Sequence, residues 1–323
     1  MLSPVNRIAT VTGDIDGSDL GFVLVHEHVL AASPGVLTTW PELHGGRQAV
    51  ADRAIAALRA ARAAGVRTIV DCTTYDLGRD ATLLADVSQA SDVAVIGATG
   101  IWLDPPATIR SRTVDQLAWR FIADLTEGMD GTPIRAGVLK VASNERVEPF
   151  AASILTAAAR ASIETGAPII THTAAAHRTG EQQAEILENC GVDPARVAIG
   201  HSDDSSDIEY LAGLAKRGYR ISMDRLPNGA LPQYGGQDVD ARIDMIARLI
   251  DRGYGDRILL AHDDPISAPL LTDEDQAQHK QANPWLLAFV ADVVLPGLDR
   301  RGVAADTIRQ LTTENPRVWL TGA

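Results

Sequence analysis

The segment Gly21-Phe-Val-Leu-Val-His-Glu-His28 decides how the chain is read. It is a β-branched, apolar run ending in two histidines one residue apart, and in a strand residues i and i+2 point to the same side. His26 and His28 can therefore grip one ion together while Glu27 points away. An isolated His-x-His is a weak signal, since strand histidines also serve packing and hydrogen bonding. The rest of the chain gives it weight. Short β-branched runs recur at Val66 to Cys72, Val93 to Thr99, Arg135 to Val141, Pro168 to Thr173, Val197 to His201, Tyr219 to Asp224 and Arg257 to His262, making eight with Gly21 to Glu27.

Amphipathic stretches lie between these runs, at Ala49 to Ala64, Phe150 to Thr165, Glu181 to Asn189, Ile208 to Arg217 and Val239 to Arg252, each followed by a punctuating glycine. Alternating strands and helices require a parallel sheet with crossover helices. Eight such units without a linker fit closure into a (β/α)8 TIM barrel, which leaves no exposed edge strand. We therefore expect one domain spanning residues 1–323. The region Pro284 to Trp319 reads as the last helix plus a helical cap, with Asn315-Pro316 marking the final turn.

Of eight histidines, His26, His28, His172, His201 and His262 end predicted strands. In barrel enzymes the carboxyl ends of the strands build the active site, so residues distant in sequence converge there. Lys140 closes the apolar run Ala136 to Leu139, where an unpaired ammonium facing the interior is costly; either it snorkels or pairs with a carboxylate, or it has a chemical role. Asp263 follows the eighth strand, as a metal ligand and proton acceptor or as an N-cap, a role Asp264 could also fill. His44, His177 and His279 lie outside strand ends and read as surface or loop residues.

Composition sets limits. The chain has 323 residues, 46% hydrophobic and 22% charged, enough for a large core. A net charge of −13 repels phosphate backbones and argues against nucleic-acid binding. Two cysteines, Cys72 and Cys190, form no CxxC motif or disulfide framework, and no run approaches the roughly 18 apolar residues of a membrane span. With no export signal legible in Met1 to Thr12, a soluble cytoplasmic protein is expected.

Taken in order, Gly21 to His28, Ala136-Gly-Val-Leu-Lys140, Ile169-Ile-Thr-His-Thr173, Ile199-Gly-His-Ser-Asp-Asp204 and Ala261-His-Asp263 resemble the phosphotriesterase-like branch of the amidohydrolase superfamily, over nearly the whole chain. The resemblance implies that His26, His28 and Asp263 hold the more buried of two divalent metal ions and His172 and His201 the more exposed one. Lys140, carbamylated by carbon dioxide, would bridge them. Zinc suits such ligands, and cobalt, manganese or iron would also bind. Homodimerisation is implied as well.

The family divides into phosphotriesterases and lactonases. Arg225 in Met223-Asp-Arg-Leu226 and His262 before Asp263 resemble the lactonase form. Trp102 in Thr99-Gly-Ile-Trp-Leu-Asp-Pro-Pro106, the Ala174 to Gln183 stretch and His201-Ser-Asp-Asp204 look closer to the phosphotriesterases. The expected activity is hydrolysis of lactones, N-acyl homoserine lactones foremost and hence quorum quenching, with a side activity on organophosphate triesters; the alternative is a phosphotriesterase proper. Asp263, Arg225 and Asp204 are the expected catalytic residues, Arg225 pairing with Asp204 behind the metals, orienting substrate or forming a plain surface ion pair. Trp102, Leu103, Arg225 and His262 are the expected substrate-pocket residues, with selectivity set by the loops Asn228 to Gln237, carrying Tyr234, and Pro265 to Asn283.

Overall fold

The computed structural model describes residues 7–323; Met1 to Asn6, part of the stretch read for an export signal, lie outside the described residues. Two short strands, β1 (Arg7–Thr10) and β2 (Gly13–Asp16), pair antiparallel as a hairpin. Eight strands then follow in chain order: β3 (Phe22–Glu27), β4 (Val66–Asp71), β5 (Ala94–Ile101), β6 (Val138–Ala142), β7 (Ile169–His172), β8 (Val197–Ile199), β9 (Arg220–Met223) and β10 (Ile258–Leu260). Each pairs in parallel with its neighbour, so the spatial order equals the chain order. Helices at 46–63, 81–91, 114–126, 149–165, 179–189, 208–216 and 239–249 cross between the barrel strands. This is the (β/α)8 barrel expected, its eight strands at the expected places with ends shifted by up to a few residues, most of them shorter and β5 running on to Ile101.

Side chains alternate between two cores, as strand geometry demands. Leu24, Ile69, Val95, Leu139, Ile169 and Ile221 face outward and pack against the helices. Val23, Val25, Val70, Ile96, Val138, Ile170, Ala198 and Leu259 fill the barrel interior, where Ile8, Leu20, Trp319 and Leu320 join them. Trp319 is fully buried, and truncating such a ring to alanine costs about 3–5 kcal/mol. The β1–β2 hairpin was not legible as a pair of strands. Its strands have four residues each, and only Ile8 and Thr10 are buried on β1.

Two further expectations change. Asn315-Pro316 is not a final turn but starts the last helix, Asn315–Thr321, which continues from a wide helical turn at Gln310–Glu314. Pro316 has no N–H to donate, and the helix passes over it through that wide turn. The Asn315 side chain instead donates to the carbonyls of Gly255 and Ile258, both at 2.8 Å. The loop Pro265 to Asn283 contains a helix, Asp273–Ala282. Its signal was Thr272-Asp-Glu-Asp275: Thr272 caps Asp275 N, and three acids occupy the first turn. Among the described residues no helix is long and apolar enough to cross a membrane.

Candidate metal centre at the carboxyl ends of the strands

A register irregularity makes the first histidine pair possible. Leu24 pairs with Ile69 and Glu27 with Asp71, so β3 carries one residue more than β4 between those pairs. Without this bulge, strict alternation after the interior residues Val23 and Val25 would aim Glu27 inward. With it, His26 and His28 reach the same cluster. Lys140 continues the inward row of Val138 on β6, His172 that of Ile170 on β7, and Asp263 that of Leu259 and Ala261 after β10. His201 ends the turn after β8 at φ 55°, and Asp263 stands at φ 47°; left-handed backbone of this kind is uncommon outside glycine and concentrates at functional sites.

The six side chains expected as metal ligands come together. His28 Nε2 lies 3.1 Å and His26 Nε2 3.3 Å from Asp263 Oδ1. Lys140 Nζ is 2.8 Å from His26 Nε2, and His201 Nε2 is 2.8 Å from His172 Nδ1. The His26 and His201 rings stack at 5.2 Å, and His172 meets His201 edge-on at 4.4 Å. His26, His28, Asp263 and separately His26, His201, Asp224 form groups able to hold a metal ion.

The outward nitrogens explain the orientation. Asp224 Oδ2 accepts from His26 Nδ1 at 2.7 Å, and its Oδ1 accepts from His201 Nδ1 at 2.9 Å and His201 N at 2.7 Å. Thr73 Oγ1 donates to the Leu30 carbonyl and so accepts from His28 Nδ1 at 2.9 Å. In each of these three rings Nδ1 is the donor to the frame and Nε2 is turned to the centre, the orientation a metal ligand needs. Sequence reasoning assigned Asp224 no role; its signal was a polar residue ending a buried strand. The second group containing it reflects this bridging position between two rings.

Burial sets the protonation states. It pushes His26 down to about 3, helped by Lys140, and holds His172 well below the usual imidazole range. Burial also lowers Lys140, which is 1% exposed and has no carboxylate in ion-pair contact among the described residues. It neither snorkels nor pairs. Burial alone would raise Asp224, but His201 and His26 hold it well below the carboxylate range. Burial likewise opposes, and His26, His201 and Arg225 overcome, in lowering Asp263. Two imidazoles, His26 and His172, kept neutral, a lysine biased to the free amine and two ionised carboxylates make a donor set suited to divalent cations.

Arg225 is no surface ion pair. Its Nε donates to Asp263 Oδ2 at 2.9 Å and its Nη1 to Asp204 Oδ2 at 2.8 Å, with the side chains near one-tenth exposed. Desolvation opposes its charge, yet Asp263 and Asp204 raise it above the usual range. The guanidinium lies 4.5 Å over the Tyr234 ring. Behind it, fully buried Arg242 binds Asp203 and, at 2.8 Å, Asp204, while Asp203 accepts the backbone N–H groups of Asp224 and Arg225. Arg242 and Asp203 were not singled out from sequence.

The expected pocket residues separate. Trp102 belongs to the cluster: its Nε1 is 3.4 Å from His172 Nδ1, and its backbone N–H is held by Asp76 at 3.0 Å. Leu103 is half-buried beside it. His262 does not line a pocket. It is fully buried, its Nδ1 donates to Glu27 Oε1 at 2.6 Å, and its Nε2 accepts from Val290 N at 3.0 Å. His177 is exposed as expected, but His44 and His279 are buried. His44 Nδ1 accepts from Gly46 N at the start of the 46–63 helix, and His279 Nδ1 pairs with Asp264 at 2.9 Å.

The model of the phosphotriesterase family matches residues 6–320. An aryldialkylphosphatase of Saccharolobus solfataricus is 35% identical over 96% of this chain and 98% of its own. A phosphotriesterase homology protein of Mycobacterium tuberculosis is 34% identical, covering 96% of each chain, and an N-acetyltaurine hydrolase of Xenopus tropicalis is 26% identical over 99% of each. With the hydrolase character of these relatives and a barrel carrying a converging His/Asp cluster, the chain belongs to the phosphotriesterase family.

Proposed function

We propose that the protein is a metal-dependent hydrolase that opens lactone rings, N-acyl homoserine lactones foremost, with organophosphate triesters as side substrates. His26, His28 and Asp263 would hold one divalent ion and His172 and His201 a second, with Lys140, as its carbamate, a ligand shared between them. Zinc fits the donors, with cobalt, manganese or iron as substitutes. The buried Lys140 supports the carbamate: carbon dioxide adds to a neutral amine, and burial favours that form. Held by these residues, two divalent ions would supply Lewis-acid chemistry, acidifying a water and polarising the carbonyl or phosphoryl oxygen of the substrate.

The observation that carries the substrate reading is Arg225 between Asp263 and Asp204. Asp263 receives the proton given up by the attacking water. In ring opening the leaving alkoxide stays tethered beside it and takes that proton back from Asp263, while the new carboxylic acid ionises and releases one proton to solvent. An aryl leaving group departs as a phenolate and leaves no tethered alkoxide to take the proton from Asp263, so two protons leave rather than one. A fixed, permanently charged guanidinium cannot accept a proton and so offers no relay for that second one. Trp102 walls the cluster beside His172 and offers an apolar face to an acyl chain. The second reading, a phosphotriesterase proper, is favoured by the 35% identity to the aryldialkylphosphatase.

The reading includes a cytoplasmic homodimer. Free Cys72 and Cys190 suit a reducing compartment, and exposed Trp40, Leu43, Trp119 and Trp285 offer apolar surface for association; a monomer in analytical ultracentrifugation would remove the dimer. The decisive test compares specificity constants for N-acyl homoserine lactones and dialkyl aryl phosphates on metal-reconstituted protein. Lactones ahead by orders of magnitude are expected. Aryl phosphates ahead would replace this reading with the second, and turnover of neither would overturn both.

A further inference from the structure

Among the described residues the barrel has one seam without a strand ladder. The hydrogen-bonded order runs from β3 to β10 and stops there, although the two strands are neighbours in space. What joins them is concentrated around three of the proposed metal ligands. Asp263 N donates to the His26 carbonyl and Ile266 N to the His28 carbonyl, both at 3.0 Å. One residue before the first of these donors the acceptor is not backbone but the Glu27 carboxylate, whose Oε1 takes both His262 N at 3.0 Å and His262 Nδ1 at 2.6 Å. His262 is fixed from its other side by Val290 N at 3.0 Å.

We infer that Glu27 and His262 form a seam clamp that positions three proposed metal ligands, the clamp joining the residue between His26 and His28 to the residue before Asp263. The inference rests on the ligand assignment of the proposed function. Glu27 and His262 are positioning residues; neither points into the cluster. Glu27 is fully buried and its Oε1 replaces the backbone acceptor that a ladder would have supplied. Because Asp263 stands in left-handed backbone, its carboxylate reaches His26 and His28 only while the preceding peptide is held. A dangling His262 would let Asp263 relax out of that conformation. The bulge on β3 is fixed by the same contact, since Glu27 is its last residue.

The test is zinc binding by chelator competition and metal stoichiometry on Glu27→Gln, Glu27→Asp and Glu27→Leu, with thermal melts of the metal-free proteins alongside. Glu27→Gln keeps an acceptor oxygen in place and should retain two ions within about threefold of the parent affinity. Glu27→Asp keeps the carboxylate but withdraws it by one methylene, and Glu27→Leu removes it. Both should weaken one of the two ions by at least about tenfold, the usual reach of a residue that orients a metal ligand, and leave the second ion within about threefold. Glu27→Asp is the arbiter if Glu27→Leu fails to fold. Unchanged zinc affinity in Glu27→Asp would overturn the clamp, as would Glu27→Gln losing as much as Glu27→Asp. Equal weakening of both ions would mark general destabilisation and overturn it too. Fewer than two zinc ions on the unaltered protein would instead refute the ligand assignment, and the clamp with it.

Discussion

Replacing Asp224 by asparagine isolates the tautomer argument, because the side chain keeps its shape and loses one acceptor. The carboxylate accepts three N–H groups: His201 N and Nδ1 on Oδ1, and His26 Nδ1 on Oδ2. The amide oxygen of Asp224→Asn should stay with His201, where two donors would otherwise go unmet. The amide NH2 then faces His26 Nδ1, donor against donor. His26 escapes by moving its proton to Nε2, the nitrogen now 2.8 Å from Lys140 Nζ and 3.3 Å from Asp263 Oδ1. That proton sits where the metal lone pair belongs. Losing a hydrogen bond to a charged group costs about 1.5–3 kcal/mol, or roughly 10–100-fold in affinity. The loss should fall on the ion held by His26 and spare the one held by His172 and His201. Chelator competition gives the two affinities, and long-range 15N correlation spectra of the metal-free protein give the tautomers. Two ions bound at parental affinity, or His26 still protonated on Nδ1, would refute the reasoning.

Arg225→Lys cannot reach Asp263 and Asp204 together, since a compact ammonium replaces a fork; kcat/KM on lactones should fall about 10–100-fold with the metals retained, and an unchanged value would remove Arg225 from the site. Gly100→Ala would place a methyl 1.8 Å from the Lys140 carbonyl oxygen on the neighbouring strand, at φ 133°; a loss above about 3 kcal/mol in denaturant unfolding is expected, and a loss below about 1 kcal/mol would contradict the contact. For pH, His26 and His262 titrate at about 3 and His172 well below its usual range, so the unfolded chain binds their protons first. That stability is present above the unfolded value of about 6.5 and is lost as pH falls towards 3. Glu27, raised by burial, works in the opposite sense above about 4.5. Asp203, raised by burial to about 6, works in the same sense as Glu27, so three imidazoles against these two carboxyls leave a net of at most one proton, a slope of at most roughly 1.4 kcal/mol per pH unit near pH 5 to 6. Urea unfolding of the metal-free protein should show stability falling with acid there, and a flat profile would contradict neutral burial.

The parts of the site that were legible in the sequence share one property: they sit where chain periodicity and element ends coincide. His172 and Lys140 continue inward rows begun by Ile170 and Val138, so strand alternation alone placed them. His26 and His28 reach the cluster for a reason that strict alternation does not supply, since the β3 bulge provides the inward turn. No residue in Gly21 to His28 announces that bulge. It is required by Asp71 and Ile69 across the strand pair, which lie some forty residues on, and only the assembled sheet reveals it.

What stayed hidden depends on partners distant in sequence. Asp224 looks like the polar end of a buried strand until His26 and His201, 198 and 23 residues away, are seen to share its two oxygens. His262 has the strand-end position of a pocket residue, yet Glu27 captures it and turns it into the frame. These two cases run in opposite directions, and the same physics decides both. A buried ring must satisfy two nitrogens, so whichever nitrogen a protein oxygen or N–H occupies is unavailable to an ion. His26, His28 and His201 each spend one nitrogen on the frame and turn the other to the cluster, whereas His262 spends both. Counting the nitrogens left over, rather than the histidines at strand ends, separates ligands from clamps in this barrel.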